Sequence, residues 1–230
     1  MWDNPAALNR VSVSLLLLTL GFAGWSAARQ AAEHWLPIRA VEVRGAAHQE
    51  TRNGIRPVVG ALSGGLFSAD LEAARQGFEA LPWVRSATVK RMWPDSLVVE
   101  LEEHIPAAAW NGLAVLSVHG EVFPVAPWSG LPDFRAPEGM EKEVATRYGE
   151  FASRLAPHGW RVAGLRVDGR RAWQIRLADG VTVDLGRERL NDRLRRFVTF
   201  YPMVTARAAG IRRVDMRYPN GFAVQGEAKT

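Results

Sequence analysis

The sequence predicts an α+β protein in three parts: a single N-terminal transmembrane helix, a small β-α-α-β-β domain, and a mainly antiparallel β domain with two flanking helices. Three observations carry this reading. Val11 to Ala28 is a long apolar run without a charge. Between Ile38 and Glu103 come one strand pattern, two helical stripes and a hairpin that specifies its own register. Beyond Pro106 the chain becomes short apolar strands parted by Asn-Gly, His-Gly and Asp-Gly turns, with two longer helical patterns among them.

The boundaries that follow are 1–10 for a cytoplasmic tail, 11–28 for the transmembrane helix and 29–37 for a spacer. The small domain takes 38–105, the β domain takes 106–225, and 226–230 reads as a frayed end. With 230 residues and 47% hydrophobic composition, the chain can bury one large core or two small ones. Cysteine is absent, which excludes disulfide frameworks and thiolate metal sites and leaves the redox compartment open. The net charge is +5 and the pI near 10.2. With 29 basic and 24 acidic residues interspersed, this reads as a basic surface. No aromatic-interleaved basic stripe or zinc-finger spacing points to nucleic acid.

As a helix, Val11 to Ala28 would be roughly 27 Å long, close to the ~30 Å hydrocarbon core of a bilayer. A buried core helix would show a polar face, and apart from Ser26 at its end only Ser12, Ser14 and Thr19 are available for one. A cleaved signal peptide competes, because Ser26-Ala27-Ala28 puts small residues at the end of the run. The length of the run favours an anchor, as do Trp25 and Trp35, placed where an interfacial aromatic belt would lie. Arg10 before the run and Arg29 after it, the latter near Glu33, slightly favour a cytoplasmic N-terminus with the bulk exported.

Ile38 to Val43 reads as a strand closed by Arg44-Gly45. Thr51 to Leu62 is a short or bent helix around Pro57. Ser68 is the expected N-cap of the next helix, whose stripe is Leu71, Ala74, Phe78 and Leu81. Pro82 ends it. Ala87 to Met92 and Leu97 to Glu102 then alternate about the turn Trp93-Pro94-Asp95-Ser96. If Val89 and Leu101 share the buried face, facing positions must sum to an even number. Val89 then opposes Leu101, Lys90 opposes Glu100 on the wet face, and the loop is odd, most simply Pro94 to Ser96. A two-residue loop would set Val89 against Glu100.

In the β domain the expected strands are 107–110, 115–118, 121–125, 160–167, 172–177, 181–185, 211–216 and 222–224. A loop punctuated by Pro124, Pro127 and Pro132 precedes a helix over 138–156 with Val144, Tyr148, Phe151 and Leu155 inward. A second helix covers 188–205 with Leu190, Leu194, Phe197, Val198 and Tyr201 inward, cut or kinked by Pro202. The final QGEAKT reads as frayed.

The chemistry search is brief. No nucleophile elbow, P-loop, dinucleotide fingerprint or HExxH is present. The five histidines lack ligand spacing, and Glu102 and Glu103, adjacent in a strand, point to opposite faces. Arg187, Arg189, Arg193, Arg195 and Arg196 read first as the solvated face of the last helix. The sequence implies neither an enzyme nor a cofactor, and a membrane-anchored, exported binding protein is the default.

The run LPWVRSATVKRMWPDSLVVELEEHIPAAAWNG resembles the FtsQ/DivIB family of bacterial division proteins. VDLGR (183–187), RFVTFYP (196–202) and VDMRYPNGFAV (214–224) do too, in the family's order, over most of the chain from Ile38. The resemblance implies a cytoplasmic tail, one transmembrane helix, a POTRA domain and a periplasmic β domain. It implies a non-catalytic inner-membrane scaffold of the divisome at the septum, bridging early and late division proteins. It also implies docking of FtsB and FtsL, which regulate septal peptidoglycan synthesis, with further contacts through the POTRA domain and the transmembrane helix. The family's partner adds as a strand to an exposed edge near the C-terminus; the matching positions here are Arg217, Tyr218, Asn220, Gly221, Phe222 and Val224. Arg187 matches a position that pairs with a partner acid. Where some relatives carry an aromatic after the matching valine, Gln225-Gly226 stand here. Met216 reads as core, and Asp215 as a partner for a neighbouring backbone group or arginine. The alternatives are a POTRA-type periplasmic transport, secretion or chaperone module, and an anchored periplasmic enzyme. The first would need a C-terminal barrel, the second a catalytic constellation.

Overall fold

The structure is a computed structural model that describes the backbone of residues 5–35, 37–206 and 210–226; side chains are described for 12–27, for 37–206 and for 210–226. Residues 1–4 of the expected tail lie outside the described residues, as do the side chains of its remainder and those of the spacer as far as Leu36. Helix α1 (Pro5–Trp35) contains the whole charge-free run and continues through 29–35, which the sequence reading takes as a spacer. Its described apolar side chains, from Val13 round to Trp25, are all exposed. α1 is therefore not a core helix. Among the described residues no helix is long and apolar enough to cross a membrane. Val11 and Ala28, the ends of the run, are outside the described side chains.

The chain forms two compact units, 1–103 and 104–230. The first holds a three-stranded sheet of β1 (Ala40–Arg44), β2 (Val84–Met92) and β3 (Ser96–Glu103), in the order β1-β3-β2. β1 runs parallel to β3 and β2 antiparallel to it. Helices α2 (Gln49–Gly60) and α3 (Leu71–Glu79) are amphipathic. They bring Ile55, Val58, Val59 and Phe78 onto Val41, Val43, Val84, Ala87, Val99 and Leu101. These residues are the unit's core and explain why the strand residues that face the helices are apolar.

Two local expectations are corrected here. α3 is capped by Asp70, whose carboxylate accepts the N–H groups of Glu72 and Ala73, each at 3.0 Å. The Ser68 hydroxyl instead accepts Gly65 N–H at 2.8 Å, closing the preceding turn. In the hairpin, even parity and an odd loop are observed, but the pairing is two residues away from that expected. Val89 faces Val99, Lys90 faces Val98 and Met92 faces Ser96, leaving Trp93-Pro94-Asp95 as the loop. The Lys90 ammonium still reaches the Glu100 carboxylate diagonally, at 2.8 Å. Charge attraction therefore does not choose between the two even registers.

The second unit is one nine-stranded mixed sheet. Its strands are β4 (Pro106–Trp110), β5 (Ala114–Ser117), β6 (Val122–Phe123), β7 (Asp133–Arg135), β8 (Val162–Val167), β9 (Trp173–Leu177), β10 (Thr182–Gly186), β11 (Ile211–Asp215) and β12 (Ala223–Gly226). Their order is β12-β11-β10-β9-β8-β7-β4-β5-β6. Five pairings are antiparallel and three are parallel, the latter being β10–β11, β8–β7 and β7–β4. Helices α4 (Glu141–Leu155) and α5 (Leu190–Thr205) share one core with the strands. Phe151, Leu155, Leu194 and Phe197 are buried there against Ile175, Val183 and Leu185.

Three further differences come from this unit. β7 lies inside the stretch read as a loop, where it joins the β4–β6 strands to the rest of the sheet through parallel pairs on both sides. α5 continues past Pro202 to Thr205. The proline removes one hydrogen bond in the last turn, while buried Tyr201 beside it keeps that turn packed. Gln225 and Gly226, read as frayed, belong to β12, where Gly226 faces Ile211. Residues 227–230 are outside the described residues.

Candidate partner-docking edge

The strands at the C-terminal end of the second unit place every residue singled out from the sequence. β11 follows α5 and returns parallel to β10; β12 then folds back antiparallel on β11 and lies at the end of the sheet order. Val224 faces Val214 and Ala223 faces Asp215. Among the described residues no strand pairs with the outer side of β12, and all four of its residues are exposed. An open edge of this kind presents a row of backbone donors and acceptors to an incoming chain.

The loop 216–222 between β11 and β12 is held from beneath by α5. Arg196, on the helix, donates to the carbonyl oxygens of Met216 at 3.1 Å, Tyr218 at 2.9 Å and Pro219 at 2.7 Å. One turn earlier Arg193 donates to Leu185 O at 2.5 Å and Arg217 O at 3.3 Å. These two arginines are not part of a solvated face, as the sequence reading had it; they clamp the loop. Arg195 fits that reading better, pairing with Asp192 on the helix surface at 2.6 Å. The i, i+3 spacing of Arg193 and Arg196 was the available signal that both point the same way.

Gly186 shows why the VDLGR run needs its glycine. Its φ is +73°, and a Cβ there would lie 2.6 Å from Arg193 Nη1 and 3.2 Å from Arg217 Cγ. The backbone passes under both arginines at the point where the β9–β10 register shifts.

Charge on this surface is mostly paired within the chain. Arg217 bonds both oxygens of Asp215, through Nε at 2.9 and 3.0 Å and through Nη2 at 2.6 Å. That pairing holds the Asp215 carboxyl below its ordinary value and raises the Arg217 guanidinium above its own. Asp215 also accepts Arg217 N–H at 3.0 Å. The fork that the sequence offered to a partner carboxylate is thus already occupied from within. Beside it, Arg213 grips Asp184, which also accepts Gln174 Nε2 at 2.7 Å.

Arg187 and Arg217 come together in a concavity of about 450 Å³ lined also by Asp168, Arg170, Glu188 and Arg193. Among the described residues the Arg187 guanidinium makes no ion pair, so beside Arg170 it is a cation of this concavity with charge to offer. Asn220, Gly221 and Phe222 line a second hollow with Arg196, Phe200 and Pro219; the Phe200 and Phe222 rings lie 6.5 Å apart. Tyr218 and Val224 line neither hollow and stand exposed by 54% and 39%. Met216 is fully buried. Phe200 is the residue the sequence reading missed. It falls within a helical pattern, yet it flanks the hollow because the 216–222 loop folds over α5. No group of three or more acidic or histidine side chains that could hold a metal occurs among the described residues.

A β-α-α-β-β unit followed by a mixed sheet that ends in an open strand is the architecture of a POTRA-bearing protein. Residues 36–104 match the POTRA domain of FtsQ type, and residues 108–217 match the C-terminal region of cell division protein FtsQ/DivIB. The chain belongs to the FtsQ/DivIB family of cell division proteins. It is 40% identical to the cell division protein FtsQ of Burkholderia pseudomallei, over 98% of this chain and 94% of that one. Against the FtsQ of Shewanella oneidensis identity is 43%, over 85% and 76% of the two chains. Against that of Nitrosospira multiformis it is 38%, over 98% and 99%.

Proposed function

We propose that this protein is a non-catalytic divisome scaffold, held in the inner membrane by α1 with its bulk in the periplasm and its N-terminus in the cytoplasm. It docks FtsB, together with FtsL, by strand addition to β12, and so links early and late division proteins at the septum. The observation that carries the reading is the open outer edge of β12, beside a loop that three arginine-to-carbonyl bonds hold in place. A partner strand would satisfy the backbone of β12, and its side chains would meet Tyr218 and Val224. An acidic partner residue would find Arg187 available, whereas Arg217 would have to leave Asp215 or bind through it. The anchor reading rests on a charge-free run within a helix whose described apolar side chains are exposed all round.

The test is capture of FtsB by the full chain in detergent. Tyr218→Ala should abolish capture, and Arg187→Ala should weaken it, with circular dichroism unchanged in both. Wild-type capture by both variants would sink the β12 site. Loss of the folded signal would instead assign Tyr218 to structure.

A further inference from the structure

The first unit carries an exposed apolar tip that the docking edge does not use. Phe67, Met92 and Trp93 are exposed by 57%, 47% and 70%, whereas the other described large apolar residues of the unit outside α1 are at least half-buried. Phe67 and Trp93 pack edge to face, 6.4 Å apart, so two loops distant in sequence present one patch. The patch is also built to hold its shape. Arg91 donates to the carbonyl oxygens of Leu66 at 2.6 Å and Ala69 at 3.0 Å, fixing the loop that carries Phe67 to the hairpin that carries Trp93.

Its position in the chain decides what it faces. β1 pairs in parallel with β3 from its first residue, Ala40 against Ser96. Arg39 donates its N–H to Asp95 O, in the hairpin loop, at 2.8 Å. Pro37 bridges to Gly65, two residues before Phe67. Both loops of the patch are therefore tied to residues 37–39, and α1 ends at Trp35. Four residues span at most about 14 Å. The apolar tip is at the end of the domain from which α1 departs. Arg39 stands beside it with three quarters of its side chain exposed, its guanidinium 3.8 Å from the Asp95 carboxylate.

We propose that this tip is a membrane-interface foot: Phe67, Met92 and Trp93 rest in the headgroup layer of the bilayer that holds α1, with Arg39 against lipid phosphate. Aromatic rings with one wet side favour that layer, and a basic residue at its rim favours anionic lipid. An exposed patch of this composition in water would otherwise be an unexplained cost. The inference rests on the anchor reading above and adds a second contact with the same membrane. The foot would restrict the tilt and height of the first unit above the bilayer.

The absence of cysteine makes the test direct. Single cysteines are introduced as Met92→Cys, Ala80→Cys and Leu18→Cys and given a nitroxide. The full chain is then reconstituted in vesicles of phosphatidylcholine and phosphatidylglycerol. Accessibility to oxygen against a water-soluble nickel chelate reads the depth of each label. Ala80 follows the far end of α3 and serves as the aqueous control. The foot requires an interfacial label at 92, a deep one at 18 and an aqueous one at 80. Adding Phe67→Ser and Trp93→Ser should shift label 92 into water and leave label 18 deep. An aqueous label at 92 with a deep one at 18 overturns the foot and leaves the anchor standing. A label at 92 shielded from both reagents points to a protein occupant and also overturns it, as does a label that stays interfacial without the two aromatics. An aqueous label at 18 overturns the anchor reading and the foot with it.

Discussion

Glu103 shows how much a single side chain does in the first unit. Its carboxylate is 7% exposed and accepts the ring Nδ1–H of His48 at 2.7 Å. It also accepts the N–H groups of Ala47 at 3.1 Å and His48 at 3.2 Å, tying the end of β3 to the start of α2. The His48 ring in turn stacks on Trp83, 3.7 Å away. Burial raises the Glu103 pKa, but the polar groups of Thr51 and His48 outweigh it and leave the carboxyl below its ordinary value. A depressed carboxyl contributes stability that is present above its unfolded value and lost as pH falls through the folded one. The loss therefore falls below about pH 4, where an unperturbed glutamate protonates. Glu103→Gln should cost about 1–3 kcal/mol, read by urea melts at neutral pH, and should flatten the acid limb of stability against pH. At the docking edge, Arg196→Ala should lower the melt and speed amide exchange in 216–222 more than elsewhere in the second unit. It removes three bonds to carbonyl oxygens, and each charged hydrogen bond is worth about 1.5–3 kcal/mol. An unchanged exchange pattern would mean that the loop holds its own shape.

At the level of elements, β7 has an importance out of proportion to its three residues. Both of its neighbours pair in parallel with it, and Phe134 at its centre is fully buried against Tyr148, with ring centroids 4.9 Å apart. Phe134→Ala should cost about 3–5 kcal/mol and detach the β4–β6 strands from the sheet, read by calorimetry and by exchange in 106–123. A wild-type melt would show that the two parts of the sheet cohere without it. Nothing in Asp133-Phe134-Arg135 signals a strand, since three residues carry no period and prolines flank them. The long helices were legible because their apolar residues recur over several turns. The hairpin was legible in parity but not in its exact pairing. Alternation excludes every odd shift, and only the choice of Trp93 to Asp95 as the loop selects among the even ones.

For the molecule as a whole, the two units bring different surfaces to what we propose is one membrane-bound scaffold. The second ends in an open strand beside a clamped loop, and the first presents an aromatic tip beside the exit of α1. Loss of FtsB capture on changing Tyr218 and loss of membrane contact on changing Phe67 and Trp93 should therefore be separable. A variant pair that moved both readouts together would mean that the two surfaces are not independent.

The candidate site was legible as a stretch, Arg217 to Val224, but not as a surface. The sequence alone determined the types of the longer elements, the apolar stripes, the charge-free run and the family motifs. Each of these is a matter of local periodicity or of residue identity. Only the tertiary structure decided that Arg217 is spent on Asp215 while Arg187 is not. It also decided that Arg193 and Arg196 turn under the loop, that β12 is the strand left at the edge, and that Phe67 meets Trp93. Those outcomes depend on contacts between residues far apart in sequence. Such contacts are set by which strand pairs with which, and periodicity, being local, carries no record of that.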